Sequence, residues 1–404
     1  MSDIIKYAVE NITNRKLRSW LTVLSILIGI MAIFALISFG NGVQKYVEDM
    51  ADEMGVDKII IQGRGFLPPG ASSTEFDDSD IRAIERTRGI DRVAMVYMTQ
   101  SEIRINQDEI GFWNFVVGMP EDIEKYELLE EAWTLEIEEG RRLTSRDRYR
   151  VVLGYNYQFE SRSPFGEALS LRDRIYINDQ PFRIIGFYNE LGNPDDDNIV
   201  YMNMNVAHEI FNDDNYQMIF ANVLDVDDMD QTLERLERSL LRSRGLDEDS
   251  RDFTIFTFEQ VISIFTNLIG TLNAVLILIA LISVVVSAIN IANSMYTAVI
   301  ERTNEIGVMK AIGAKNSDIQ AIFLIESGFL GLVGGIIGII LGYLVASLGG
   351  YIAAQEGYTM LQPSFSIWLV IGCLLFSLLV GVLSGYLPAK QASQLKPVDA
   401  LRYE

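Results

Sequence analysis

Nucleotide hydrolysis needs a loop of the form G-x-x-x-x-G-K-[ST], whose backbone amides and lysine hold the phosphates. The nearest glycine–lysine neighbourhood in this sequence, Gly313 to Ser317, has the wrong spacing. Imidazole chemistry has a single residue to draw on, His208, which leaves a Ser-His-Asp triad or a histidine-rich metal site without support. The run Asp195, Asp196, Asp197, Asn198 offers oxygen ligands to calcium but lacks the glycine and closing glutamate of an EF-hand loop, and reads as an exposed loop. The one cysteine, Cys373, falls in an apolar run, so the polar part of the chain holds no disulfide. No catalytic residue, cofactor site or metal site is therefore expected. One acid stands apart: Glu326 interrupts an apolar run, where a carboxylate is costly and faces protein or water. A structural ion pair or a proton relay would each account for it.

The elements that carry these residues follow from hydropathy. The sequence has 404 residues, 49% of them hydrophobic, with a formal net charge of −22. Those figures are compatible because the chain is not uniform. Runs of about 20 apolar residues mark membrane spans. Four are present: Trp20 to Phe39, about Leu268 to Ile289 inside a longer helix, Ile319 to Ser347, and Ile367 to Leu387. The corresponding helices are set at 19–43, 261–300 with a stalk, 319–350 and 366–388. Residues 44–260 hold almost all the acid, about −23 in net charge, and such a surface repels nucleic acid. Lys and Arg cluster before the first span, between the second and third, and after the fourth, whereas 350–365 has none. The positive-inside rule then makes both termini and the 301–318 segment cytoplasmic, and 44–260 extracytoplasmic. The first apolar run is too long for a cleavable signal and is expected to remain as an anchor. Residues 1–18 place Ile4, Ile5, Ala8, Val9 and Ile12 on one side of an interfacial helix.

Between the second and third spans lies IERTNEIGVMKAIGAKNS, from Ile300 to Ser317. A bare turn would suffice to reverse the chain. Here Ile306, Val308, Met309 and Ile312 alternate with Glu301, Arg302, Glu305, Lys310 and Lys315, which predicts a short amphipathic helix able to press a face into a groove on another protein. Gly313 supplies its stop.

This stretch resembles the coupling segment of FtsX/MacB-like ABC-transporter permeases, R-x-x-E-I-G-x-x-x-A-[IV]-G-A. Arg302, Glu305, Ile306, Gly307, Ala311, Ile312, Gly313 and Ala314 match it. The start of the first span (Arg18, Ser19, Leu21, Thr22, Leu24, Ile26, Gly29) is similar to the same family, with Ser25 where glycine is usual. So is the tail from Pro388 to Glu404, with Pro397, Val398, Ala400, Leu401 and Arg402 in register. A phrase of the outer domain fits as well: Gly140, Arg141, Leu143, Thr144 and Asp147, then Val151 to Gly154, then Phe182 to Gly186.

The resemblance implies a membrane protein of four transmembrane helices, with an α+β extracytoplasmic domain of two subdomains inserted between helices 1 and 2. Two β-α-β patterns, at about 55–125 and 215–258, form a split subdomain around a strand-rich insertion at about 126–214. Helix 301–318 would be the coupling helix, with Glu301, Arg302, Glu305, Ile306, Gly307, Met309, Ala311, Gly313 and Ala314 as its ATPase-coupling residues. Residues 389–404 form the cytoplasmic tail. Its implied partners are two copies of an ABC ATPase, which bind the ATP and Mg, and a second permease copy or paralogue in the surrounding lipid. An extracytoplasmic adaptor is a further partner left open. Glycines at four-residue spacing in the third span, Gly331 and Gly335, then Gly334, Gly338 and Gly342, permit close helix packing, within one subunit or between two. The activity implied is mechanotransmission, driving export of a peptide, antibiotic or lipophilic substrate. A LolC/LolE-like extractor of lipoproteins and an FtsX-like regulator of a cell-wall hydrolase share this architecture and stay open.

Overall fold

The computed structural model describes residues 16–64, 74–106 and 111–401. Most of the expected interfacial helix, most of the loop at 63–74, and Arg402 and Glu404 lie outside the described residues. In chain order the elements begin with α1 (Lys16–Met54), β1 (Lys58–Gly63), α2 (Asp78–Glu85), β2 (Ile90–Arg104), β3 (Phe112–Met119) and α3 (Ile123–Trp133). There follow β4 (Ile137–Gly140), β5 (Arg150–Leu153), β6 (Arg174–Ile177), β7 (Gln180–Tyr188), α4 (Pro194–Asp197), β8 (Val200–Asn203) and α5 (Met204–Phe211). The chain then runs through β9 (Met218–Val223), α6 (Met229–Arg244), β10 (Phe253–Thr257), α7 (Phe258–Glu301), α8 (Thr303–Ala311), α9 (Asn316–Gln355), α10 (Ile367–Gln394) and α11 (Pro397–Leu401). Two compact units result: Lys45–Asn267 with Ala353–Met360, and Met1–Gln44 with Leu268–Ile352 and Leu361–Glu404.

The first of these, the outer unit, is organised by two interdigitated β-α-β turns. Strand β9 sits between β1 and β2, and β1 sits between β9 and β10, all antiparallel, giving the order β10-β1-β9-β2. Each β-α-β connection therefore skips over a strand from the other, the split arrangement of a ferredoxin-like layer. Strand β9 is buried along its whole length because both sheet faces are covered. Ile219 and Ala221 join a core with Ile59, Ile84, Leu236 and Leu240, while Phe220 packs with Leu128 and Leu129 on the other side. Strand β2 is 15 residues long and serves both halves. Its first part pairs with β9 and its second with β3, so the strands of the inserted region continue the same 10-stranded sheet.

Local chemistry explains the element ends. The cap of α2 is Asp77, whose carboxylate accepts from Ser79 N and Asp80 N while Asp80 closes the capping box. An acid at the N-cap reaches the free amides with better geometry than a serine already inside the first turn. The phrase from Gly140 to Asp147 forms a structural hub. Asp147 is buried and accepts two bonds from the Arg141 guanidinium at 2.7 Å, one from Arg150, and two from the Thr144 amide and hydroxyl. Those donors, Arg141 first, hold its carboxyl far below the usual carboxylate range. Gly140 has φ +87°, and a Cβ there would meet Ile185 O at 2.3 Å.

The other unit contains most of the four helices long and apolar enough to cross a membrane. Helix α9 packs by two glycine stripes that face different neighbours. Added Cβ atoms at Gly334, Gly338 and Gly342 would strike Ile26, Leu27 O, Ile30 and Met31 O on α1. At Gly331 and Gly335 they would strike Ser377 on α10, where Gly381 lies opposite Gly331. Both stripes thus meet neighbours inside one chain. Polar links join α1 to α7: Ser287 Oγ donates to Ser25 O at 2.7 Å and Asn290 Nδ2 to Ser25 Oγ at 3.1 Å. The serine that departs from the family's glycine is thereby used.

Candidate functional site

The segment between α7 and α9 is built on two breaks. Arg302 leaves the helical conformation with φ −106° and ψ 16°, and the Thr303 hydroxyl donates to the carbonyls of Val299 and Ile300 at the end of α7. Helix α8 then runs for nine residues until Gly313, at φ +105°, takes the left-handed turn that a side chain resists. The Asp318 carboxylate accepts from Lys315 N and opens α9.

Three interactions anchor α8. Arg302 Nη1 donates to Glu326 Oε2 at 3.0 Å, with both side chains under a tenth exposed. The intramembrane acid is thus answered by the first residue of the family motif. Ile306, fully buried, joins Val299, Ile319, Phe323, Ala389 and Ala392 in one apolar cluster, with Met309 and Ala314 packed at its edge. Lys310 Nζ donates to Ser393 O at 2.5 Å and Leu395 O at 2.7 Å, taking carbonyls at the C-terminal end of α10, where a cation is favoured. Spacing alone gave Lys310 no role beyond a charged face.

The reading of Ile306, Val308, Met309 and Ile312 as one apolar face needs correction. Positions 308 and 312 are four apart and share a face, but 306 and 309 are three apart and share another. Ile306 and Met309 point into the protein, while Val308 and Ile312 are 49% and 82% exposed. The outward stripe is Glu301, Glu305, Val308, Ala311, Ile312 and Lys315, with Gly313 beside it. Arg302 and Gly307 are buried, so of the residues assigned to coupling, Arg302, Ile306 and Gly307 support the helix from within.

The other candidates carry no chemistry of their own. Asp195 to Asp197 form the short helix α4, capped by Asn193, rather than an exposed loop. Asp197 is buried and accepts from the Leu191 and Gly192 amides; burial outweighs those bonds and pushes its carboxyl up to about 6. Among the described residues no group of His, Cys, Asp and Glu could hold a metal. His208 lies in α5 against the edge of Tyr97, with its proton affinity lowered chiefly by burial.

Comparison with known proteins matches residues 19–239 to the MacB-like periplasmic core domain and residues 253–397 to the FtsX-like permease C-terminal family. An ABC transporter permease of Methanocaldococcus jannaschii is 36% identical over 407 residues, covering 100% of this chain and 98% of that one. The ABC transporter permease YknZ of Bacillus subtilis is 29% identical, covering 99% and 98%. The macrolide export ATP-binding/permease protein MacB of Campylobacter jejuni is 30% identical over all of this chain, which spans 62% of its length.

Proposed function

The chain belongs to the MacB/FtsX-like ABC transporter permeases, and from that membership we propose that it couples ATP hydrolysis by a separate ATPase subunit to movement of its outer domain. Two ATPase copies, holding ATP and Mg, would grip α8 on the cytoplasmic side of two paired permeases. Both termini would be cytoplasmic, with the outer unit on the opposite side; the absence of Lys and Arg from 350–365 supports this, as does the grouping of Ala353–Met360 with the outer unit. Helix α7 is continuous from Phe258 to Glu301, the length a push–pull element needs. Its exposed Leu272, Val275, Ile279, Ile282 and Val286 suit lipid or a second copy. The work done would be mechanotransmission driving efflux of a peptide, antibiotic or other lipophilic substrate, with an extracytoplasmic adaptor as a further partner.

The observation that carries this reading is the two-sidedness of α8. One side is fixed by the Arg302–Glu326 pair, Ile306 and Lys310; the other leaves Ile312 and Val308 open between charged residues. A helix fixed on one side and apolar on the other transmits a push instead of absorbing it. The test is co-purification of the ATPase subunit with tagged chain from native membranes. Val308→Asp together with Ile312→Asp is expected to lose the ATPase while leaving the melting temperature of the permease unchanged. ATPase retained at the wild-type level by a folded double variant would overturn the proposal.

A further inference from the structure

A cavity of about 1180 Å³ opens in the outer unit, where β2, β3 and β9 meet the end of α1 from Tyr46 to Met54. Six acids border it, Asp49, Glu75, Glu190, Asp195, Asp196 and Asp213, and among the described residues none of the lining is Lys or Arg. Glu190 is paired with Arg162 at 2.6 Å; for the other five no ion pair is found among the described residues. The same lining carries an apolar, polarizable set, Met50, Met54, Met98, Met218, Phe115 and Trp133.

Each part narrows the occupant. The volume lies just above the usual range of small-molecule pockets, about 300–1,000 Å³, and is large enough for a compound of several rings. Methionines repack around ligands of differing shape, and aromatic faces attract positive charge. The carboxylates repel anions and favour a cation over a neutral ligand of the same shape. Among the described residues no three of these acids come close enough together to hold a metal ion. Charge complementarity together with an adaptable apolar lining leaves one chemical class. We infer that this cavity is a binding site for lipophilic organic cations. The inference deepens the export reading by naming its substrate class, and rests on that reading only for the steps after binding.

Binding is measured without any ATPase, so a failure of coupling would not disturb the result. The full chain is placed in phosphatidylcholine nanodiscs and equilibrium binding of tritiated tetraphenylphosphonium is recorded, with empty discs subtracted. Tetraphenylborate, of the same shape and opposite charge, is the comparison. Saturable binding of the cation and not of the borate is expected. Asp49→Asn with Asp195→Asn should weaken it about tenfold, whereas Asp195→Glu alone should retain it; an unchanged melting temperature certifies each variant as folded. The inference is overturned by equal binding of the borate, by absence of saturable binding, or by unchanged affinity in the double variant. Equal affinity for a lysine-rich peptide lacking apolar side chains would also overturn it, assigning the rim to a basic protein segment.

Discussion

Arg302 and Glu326 show what a single buried charge demands. Each side chain is under a tenth exposed, so neither is solvated by bulk water and each depends on the other. Glu326→Gln leaves a guanidinium buried without its counter-charge and should cost about 3–5 kcal/mol, whereas replacing both residues by Met should recover most of that loss. Melting temperatures of the two singles and the double in the same detergent check this, and a double variant as unstable as the singles would show that the pair does not act as a unit. Asp147 makes a different demand, in the outer unit. Its proton affinity is depressed in the folded state by Arg141 and the other donors, so the stability it supplies is complete above the unfolded carboxylate range. That stability drains away as pH falls below about 4. Asp147→Asn should therefore lower stability by on the order of 3 kcal/mol at pH 7, and the gap from wild type should narrow towards pH 3. Thermal unfolding at both pH values measures it, and an equal gap would remove the carboxylate as the cause.

At the scale of elements, glycine spacing decides which helices touch. A Cβ at Gly331 would lie 2.4 Å from Ser377 O and 3.1 Å from Gly381 Cα, both backbone, so nothing there can yield cheaply. A Cβ at Gly372, on α10, would meet nothing within 4 Å among the described residues. Gly331→Ala should thus destabilise the bundle by about 1–3 kcal/mol despite the better helix propensity of alanine, while Gly372→Ala should be neutral or slightly stabilising. Thermal melts of the two in detergent compare them directly. The four-residue repeat was readable in the sequence because it is local, but the identity of its neighbours was not. Gly334 and Gly331 are three residues apart and look alike on paper, yet they face α1 and α10 respectively. The same limit explains α8: its existence, its glycine stop and an acid nearby in the apolar run are local signals. The inward turn of Ile306 and the reach of Lys310 to carbonyls more than 80 residues on depend on where α10 comes to rest. The sheet behaves likewise. Two β-α-β patterns can be counted from alternation and caps, whereas their interleaving is a long-range pairing that no window of sequence contains.

At the scale of the whole molecule, the proposal stands on sidedness. If ATP hydrolysis inside the cell is to reach a domain outside it, α8 and residues 353–360 must lie on opposite sides of the membrane. The charge distribution argues for this, since Arg302, Lys310 and Lys315 lie in or beside α8 and the segment 350–365 has no basic residue. Two exposed positions report on it: Asn316, at the start of α9, and Glu356, in the loop after it. The native Cys373 is buried, and Cys373→Ala provides a background without thiols. In intact cells a membrane-impermeant maleimide should label Glu356→Cys and spare Asn316→Cys, and permeabilisation should bring the second up to the first. Labelling of Asn316→Cys from outside would put α8 beyond the reach of any cytoplasmic ATPase. The exposed Val308 and Ile312 would then need another occupant, and α7 would have no hydrolysis at its end to transmit.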